Sequence, residues 1–568
     1  MSRPTDDAVF VLRTYIAAFV LVVLGVLTPT VLFAQVEVNT EPVLILEPGA
    51  HTGPIRQIAV NQAQSLLVTV SDDKSARVWD LATNKLVATL RPPAGSDQIG
   101  RLYGAAISAD GVVAIGGTTA VTGASHRIYL YDLSNFVVLR AIDARGGDIK
   151  RLAWSPDGQL LVAAFAESPA LRIFKRDGSI VHEEKMPADV WSLAFSADGM
   201  LAVPVSNRTI RLYTLIGGKV TFGGEIRTGI ADPRGVDFSP DGSLLAVGYN
   251  SRLNRETIQV DVVEVKSRTT IKSLAVTSLD VGNLRNVTWS NDGARIYAGG
   301  SASKSGNRFV VKQINWPSLE SSEFVASTNS VTDLIALRDG RLVVATAEPS
   351  WAVLSGTTLT RMSTNTVSLG DARSLHVNAT GTAVAFRYRQ REQFATFDLA
   401  KRQVMEMDVE SIGATVRPSI RITDWENNLR PKIDGKVIPL DASEVSRAAV
   451  VLPDASGAVL GTSRALRRID HRGEQVWSVR LSTEARAIAV SNDGRILVVG
   501  MADGTIRWRR VADGAMLMSL FSTSDLRWVL WTEKGYYDVS LGAEDLIGWL
   551  ISRAEGDQAD FFAISRFR

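Results

Sequence analysis

Leu152-Ala-Trp-Ser-Pro-Asp-Gly158-Gln-Leu-Leu-Val162 is the stretch on which the fold turns. A short apolar run enters Ser-x-Asp-Gly, and a second apolar run leaves it. An Asp-Gly tip between apolar runs signals a β-hairpin, because glycine adopts positive φ without steric cost. The pattern returns in Leu193-Ala-Phe-Ser-Ala-Asp-Gly199, Val236-Asp-Phe-Ser-Pro-Asp-Gly242, Val287-Thr-Trp-Ser-Asn-Asp-Gly293 and Ile488-Ala-Val-Ser-Asn-Asp-Gly494. Weaker copies lie at Asn61-Gln-Ala-Gln64, Ser108-Ala-Asp-Gly111, Arg338-Asp-Gly340, Asn378-Ala-Thr-Gly381 and Pro453-Asp-Ala-Ser-Gly457.

Successive tips are 47, 47, 41, 43, 51, 47, 41, 76 and 37 residues apart. A period of about 40–50 residues with four short strands per unit indicates propeller blades, each too thin to bury both faces until its neighbours stack on it. The 76-residue step is close to two periods. It predicts a degenerate blade near Val409 to Leu440, turning at Asn427-Asn428 and Asp434-Gly435. The fold class is therefore all-β, a β-propeller of ten or eleven blades. That count exceeds the roughly 4–8 blades of one ring. Two propellers are expected: about seven blades over residues 41–368, then a smaller or incomplete ring over 369–524. One large ring is the alternative. Pro42-Val-Leu-Ile-Leu46 is a candidate strand of a later blade, which would join the chain ends.

The last segment, 525–568, is aromatic-rich. Trp528 to Thr532 reads as a strand finishing a blade. Ala543 to Ser552 reads as a short capping helix with Leu546, Ile547, Trp549 and Leu550 on its apolar side. Packing accounts for many of these side chains. A partner-docking reading of Trp528, Trp531, Tyr536, Tyr537, Trp549, Phe561 and Phe562 stands beside it, since Trp and Tyr are common interface anchors.

Residues 1–34 read as an address. Arg13 precedes an uncharged run through Gln35, with Tyr15 to Leu27 apolar and Ala34 at the exit. This is the pattern of a secretory signal peptide cleaved after Ala34. An uncleaved signal anchor is the alternative, since the run is nearly long enough to span a bilayer. Both place the remaining chain outside the cytoplasm, periplasmic or secreted in the first case, and membrane-anchored facing the periplasm in the second.

Composition narrows function. The 568 residues include no cysteine, which excludes thiol proteases, cysteine-ligated metal centres and disulfide scaffolds. With 62 Lys+Arg against 60 Asp+Glu, the net charge of +2 gives no support to a nucleic-acid binder. The five histidines, His51, His126, His182, His376 and His471, are too dispersed for a local metal motif. Neither a Gly-x-Ser-x-Gly elbow nor a phosphate-binding Gly-x-x-x-x-Gly-Lys-Ser/Thr loop occurs. Arg464, Arg467, Arg468, Arg472, Arg480 and Arg486 read mostly as solvated blade edges, with a site for an acidic partner as the alternative.

Ser71-Asp-Asp73-Lys-Ser-Ala-Arg-Val-Trp79-Asp80, preceded by His51-Thr-Gly53, resembles a WD40 repeat. The resemblance implies a buried hydrogen-bonded tetrad of His51, Ser71, Asp73 and Trp79, a structural rather than catalytic set. In the last unit Trp508 stands one residue too early and Arg509 takes the tetrad position. Arg527-Trp-Val-Leu-Trp-Thr532, Gly535-Tyr-Tyr-Asp-Val-Ser540 and Glu544-Asp-Leu-Ile-Gly-Trp549 resemble the end of a bacterial group of exported WD40-like proteins. Some of that group continue into a caspase-like peptidase domain. This chain stops at Arg568 and has no cysteine nucleophile, so peptidase activity is not carried over. Asp470-His-Arg-Gly473-Glu-Gln-Val-Trp477 resembles the repeat of quinoprotein propellers, a structural motif without cofactor residues.

The expected function is a non-enzymatic WD40-like scaffold for protein–protein interaction outside the cytoplasm. Its partner would be a protein not identified by the sequence, with no nucleic acid, no cofactor, no metal and no catalytic residues. Membrane contact would come only through an uncleaved N-terminal segment. The alternative is a periplasmic propeller enzyme of hydrolase, lyase or quinone type with its site in the central channel. Convergent titratable residues in one channel would favour the enzyme.

Overall fold

The computed structural model describes residues 42–567 apart from 96–97, 120–124, 167–169, 230, 251–257, 277–282, 305–307, 363–374, 388–393, 407–418, 442–443, 482 and 553–556. Residues 1–34, with the expected signal, and Val409 to Pro418 of the degenerate blade lie outside the described residues. Among the described residues no helix is long and apolar enough to cross a membrane.

The fold is all-β, of β-propeller type. Among the described residues eleven antiparallel sheets follow one another along the chain, each built from consecutive strands. Sheet 1 comprises Ile55–Val60, Leu66–Ser71, Ala76–Asp80 and Leu86–Leu90. Sheets 2 to 8 repeat that four-stranded meander over residues 102–143, 149–185, 194–227, 232–276, 286–327, 331–362 and 375–406. Sheet 9 is the degenerate unit, three strands of two residues each: Ile422–Thr423, Lys432–Ile433 and Lys436–Val437. Sheet 10 (446–480) has four strands, and sheet 11 (485–539) has six.

The recurrent tip has a local cause. In the copy at 155–158, Ser155 Oγ donates to Asp157 at 2.5 Å and accepts the Leu160 N–H at 3.0 Å. The Gly158 N–H closes the turn on the Ser155 carbonyl at 2.8 Å, with φ of 65°. Serine and aspartate thus satisfy the polar groups of the turn, and glycine supplies the left-handed residue. Ser108, Ser239, Ser290 and Ser491 make the same bond to the Asp two residues on.

Apolar seams join the sheets face to face. Sheet 7 packs back on sheet 1 through Leu337, Val343, Trp351 and Val353 against Ile55, Ile58, Leu67 and Trp79. The Trp79 and Trp351 rings lie 5.6 Å apart. Arg341 also donates to the Leu81 carbonyl at 3.0 Å. Sheet 9 packs on sheet 10, sheet 10 on sheet 11, and sheet 11 on sheet 8.

A twelfth sheet joins the chain ends. Val43–Leu46 pairs antiparallel with Ile547–Ile551, which pairs in turn with Asp560–Ala563. The early strand therefore does join a later sheet, but that sheet is a separate three-stranded clasp. This corrects the expected C-terminal helix at Ala543 to Ser552. Only a single 3-10 turn, Glu544–Leu546, precedes the strand, and another, Ile564–Phe567, ends the described chain. Leu546, Ile547, Trp549 and Leu550 suit either period in so short a run. The hydrogen-bonding edge offered by Val43–Leu46 decides for strand. Gly548 allows the close approach, since a Cβ there would collide with the Phe561 ring and the Phe562 carbonyl.

Glu47 pins the clasp to sheet 1. Its carboxylate contacts Arg77 at 2.6 Å and also Arg91, and its N–H donates to the Leu546 carbonyl at 2.7 Å. Phe561 of the clasp stacks against the Arg91 guanidinium at 4.7 Å.

Candidate functional site

Sheet 1 carries the expected polar network with one correction. His51 Nδ1 lies 2.8 Å from Asp73 Oδ2, and His51 Nε2 lies 2.7 Å from Thr69 Oγ1. The Trp79 indole N–H donates to the same Thr69 oxygen at 2.9 Å. Thr69, not Ser71, links imidazole to indole. The register pairs Leu67 with Trp79, so Thr69 is Trp79's diagonal neighbour on one face. Ser71 lies four residues from Leu67, about 13 Å along the strand, and is out of reach. Ser71 instead donates to the Gly53 carbonyl at 2.8 Å and accepts the Asp73 N–H at 3.1 Å. Burial lowers the His51 pKa and favours neutral imidazole. Burial works against ionised Asp73, but His51, Arg77 and Ser75 outweigh it and hold the carboxyl below its ordinary range. All four polar groups are satisfied, as befits a structural network.

In sheet 11, Trp508 pairs with Val498 and faces the opposite side from Trp79's equivalent, because a one-residue shift reverses the face. It is buried against sheet 8, and its indole donates to the Gly381 carbonyl at 2.8 Å. Arg467 corrects the reading of its cluster as solvated edge. It is buried, donating to Glu444 at 2.5 Å and to Asp441 at 2.6 Å. Arg464, Arg472 and Arg480 are exposed, while Arg468 and Arg486 are half-buried.

The aromatic tail divides in two. Trp528 is buried, 5.0 Å from the Phe397 ring, which removes it from any docking surface. Trp531 and Trp549 are half-buried where sheet 11 meets the clasp, and Phe561 packs on Arg91. Phe562 is half-buried in the clasp strand. Tyr536 is 75% exposed, Tyr537 43% and Leu541 95%, all at or beside Tyr537–Val539, the edge strand of sheet 11.

A second assembly was not singled out by sequence motifs. The first strands of sheets 1, 2, 3, 5, 6 and 7, with Trp191 just before sheet 4, contribute to a cavity of about 230 Å³. Among the described residues its lining includes five cations, Arg56, Lys150, Arg151, Arg234 and Arg285, and no carboxylate. Tyr103 and Trp191 stand between them. Lys150 Nζ lies 4.4 Å from the Tyr103 ring centroid, and the Arg234 guanidinium 4.0 Å from that of Trp191. Behind the lining, Asp72 holds Arg56 at 2.7 Å, Asp148 lies 3.5 Å from Lys150, and Asp333 lies 3.5 Å from Arg151. The repeat contained a usable signal. Arg56, Tyr103, Lys150, Trp191, Arg234, Arg285 and Thr332 each stand eight residues before the last residue of their tip. Among the described residues the titratable groups of the lining are the five cations and Tyr103. Among the described residues no cluster of three His, Cys, Asp or Glu could hold a metal.

Carboxylates also stitch neighbouring first strands. Asp333 accepts the Ile58 N–H at 3.0 Å, and Asp237 accepts the Trp289 N–H at 2.8 Å and the Thr288 hydroxyl at 3.0 Å. Burial raises Asp237 to about 6. Its folded pKa thus exceeds the roughly 3.9 of an unfolded aspartate. The stability this confers is complete below about pH 4 and is lost as pH rises through about 6. Asp237→Asn should therefore match wild type near pH 4 and exceed it near pH 8 by as much as about 3 kcal/mol. Thermal melts at the two pH values check this. An equal offset at both would show that the carboxyl does not titrate on this scale.

Meander sheets stacked seam on seam, one of them holding a His–Thr–Trp chain anchored by Asp73, define a WD40-repeat, β-propeller-like protein. Residues 41–80 match the WD domain, G-beta repeat, and residues 462–534 match the WD40 domain of anaphase-promoting complex subunit 4. The chain is similar to Autophagy-related protein 18 of Candida glabrata, 31% identical over 106 residues. It is also similar to Autophagy-related protein 18 of Vanderwaltozyma polyspora, 32% identical over 114 residues. Each match covers 18% of this chain and 20% of the relative.

Proposed function

We propose that the chain is a non-enzymatic scaffold that binds a protein partner outside the cytoplasm. Sheets 1 to 7 would form one propeller, and sheets 8 to 11 a second, incomplete one. The observation that carries the interaction reading is the edge strand Tyr537–Val539, with Tyr536, Tyr537 and Leu541 exposed beside it. An edge strand offers unpaired backbone groups, and exposed tyrosines offer rigid amphipathic area. The match of residues 41–80 to a WD repeat supports the scaffold reading. Export is supported by the apolar run Tyr15 to Leu27 and the small residue at Ala34. The resemblance of the C-terminal segment to exported bacterial WD40-like proteins agrees with it.

One crosslinking experiment on intact cells tests both parts, using a reagent that does not cross the cytoplasmic membrane. The wild-type chain should be crosslinked to a discrete partner, and Tyr536→Ser with Tyr537→Ser should reduce capture about tenfold or more. Sequencing the recovered chain should start at Gln35 after cleavage, or upstream of it for an anchor. Equal capture by the variant would refute tail docking, and no labelling in intact cells would refute export.

A further inference from the structure

Sheet 11 extends beyond the four-stranded meander by one hairpin, Trp528–Trp531 and Tyr537–Val539. Among the described residues Tyr537–Val539 is the outer edge of that sheet. The Thr532 N–H donates to the Tyr536 carbonyl at 2.8 Å, and the Ser540 N–H to the Trp528 carbonyl at 2.9 Å. With Leu530 opposite Asp538, these are the hydrogen-bonded pairs of the ladder. Bonded pairs alternate in an antiparallel ladder, so the N–H and C=O groups of Tyr537 and Val539 point outward. The Val539 N–H is met locally by Asp538 Oδ1 at 3.0 Å. The Tyr537 N–H and C=O and the Val539 C=O have no protein partner among the described residues. Side chains alternate in the same way. Tyr537 and Val539 share a face with Trp531 and Val529. That face is turned to the clasp, where Val529, Trp531, Val539 and Trp549 pack together. Asp538 points to the other face, 3.2 Å from Arg402 of sheet 8.

Resting on the docking role given to the tail, we propose that its partner adds an extended strand to Tyr537–Val539. The strand carries apolar residues opposite Tyr537 and Val539, and a basic residue between them opposite Asp538. Main-chain bonds hold such a strand, and its alternate side chains select it. The apolar pair continues the packed face shared with the clasp, and the basic residue meets a carboxylate that is 37% exposed. The molecule joins its own chain ends in the same manner, Val43–Leu46 adding as a strand to Ile547–Ile551. A second copy of the chain does not fit, because antiparallel pairing about Asp538 sets two carboxylates opposite one another.

The probe is a capped peptide, Thr-Val-Lys-Val-Thr, compared with a twin N-methylated at both valines. Titrated with the full chain and followed by fluorescence anisotropy, the first should bind saturably. The twin should bind about tenfold or more weakly, since it lacks the N–H groups that would reach the Tyr537 and Val539 carbonyls. Glutamate in place of the peptide lysine should also weaken binding. Val539→Pro keeps both tyrosines and breaks no ladder bond, because Val529 and Val539 are a non-bonded pair. It should lose the peptide and, in intact cells, the crosslinked partner. If that variant melts far below wild type, the two peptides on the wild-type chain decide alone. No binding of the first peptide at millimolar concentration overturns strand addition, as does equal binding of the twin. Partner capture abolished by Tyr536→Ser with Tyr537→Ser but kept by Val539→Pro also overturns it, and leaves tail docking standing. No capture by the wild type overturns tail docking and this proposal with it.

Discussion

Glu47→Gln is expected to loosen both ends of the chain. Glu47 is the carboxylate between Arg77, only 2% exposed, and Arg91, 12% exposed, and its backbone N–H holds the turn before Ile547–Ile551. Removing one partner of a buried pair leaves an uncompensated charge and costs about 3–5 kcal/mol. The loss falls on the contact between clasp and sheet 1, so melting should begin at lower temperature. A protease should then cut within 547–563 under conditions that spare the wild type. Deleting residues 41–48 should have the same effect more strongly, since it also removes the strand that pairs with Ile547–Ile551. An unchanged melt and an unchanged digest in the deletion would show that the clasp contributes no stability.

Trp508→Ala is expected to uncouple sheet 8 from sheet 11. Trp508 is 1% exposed, lies 6.4 Å from the Phe397 ring and bonds the Gly381 carbonyl. Truncating a buried tryptophan to alanine costs about 3–5 kcal/mol through lost burial and the cavity left behind. Trp508→Phe retains most of the ring but orphans the carbonyl, at about 1–3 kcal/mol. Urea melts followed by tryptophan fluorescence should rank wild type above Phe above Ala. A loss below about 1 kcal/mol for alanine would mean that this seam is not a structural joint.

Much of the fold was legible because its signals are local. The Ser-x-Asp-Gly tips marked hairpins through bonds made within five residues. Val43–Leu46 was recognisable as a strand in search of a sheet. The tetrad was legible in its His, Asp and Trp, but not in its fourth member. Choosing Thr69 over Ser71 needed the register of Trp79 against Leu67, which local spacing does not fix. Trp508 looked like a misplaced tetrad residue, and its use lay on the other face of its strand. The cavity cations escaped motif reading because no two sheets supply them within one short stretch. Aligning the repeats by their tips brings them to one position.

The sequence by itself determined the repeating unit, the all-β class and the identity of the polar network's strand. Periodicity and turn chemistry act over a few residues, where chain connectivity alone sets the geometry. Only the tertiary structure decided the partners across seams. It turned Ile547–Ile551 from an expected helix into a strand, and it buried Trp528 while leaving Tyr536 in solvent. It also gathered Arg56, Lys150, Arg151, Arg234 and Arg285 around one cavity. Those outcomes depend on which sheet lies beside which, and burial and charge focusing arise only once the sheets have stacked.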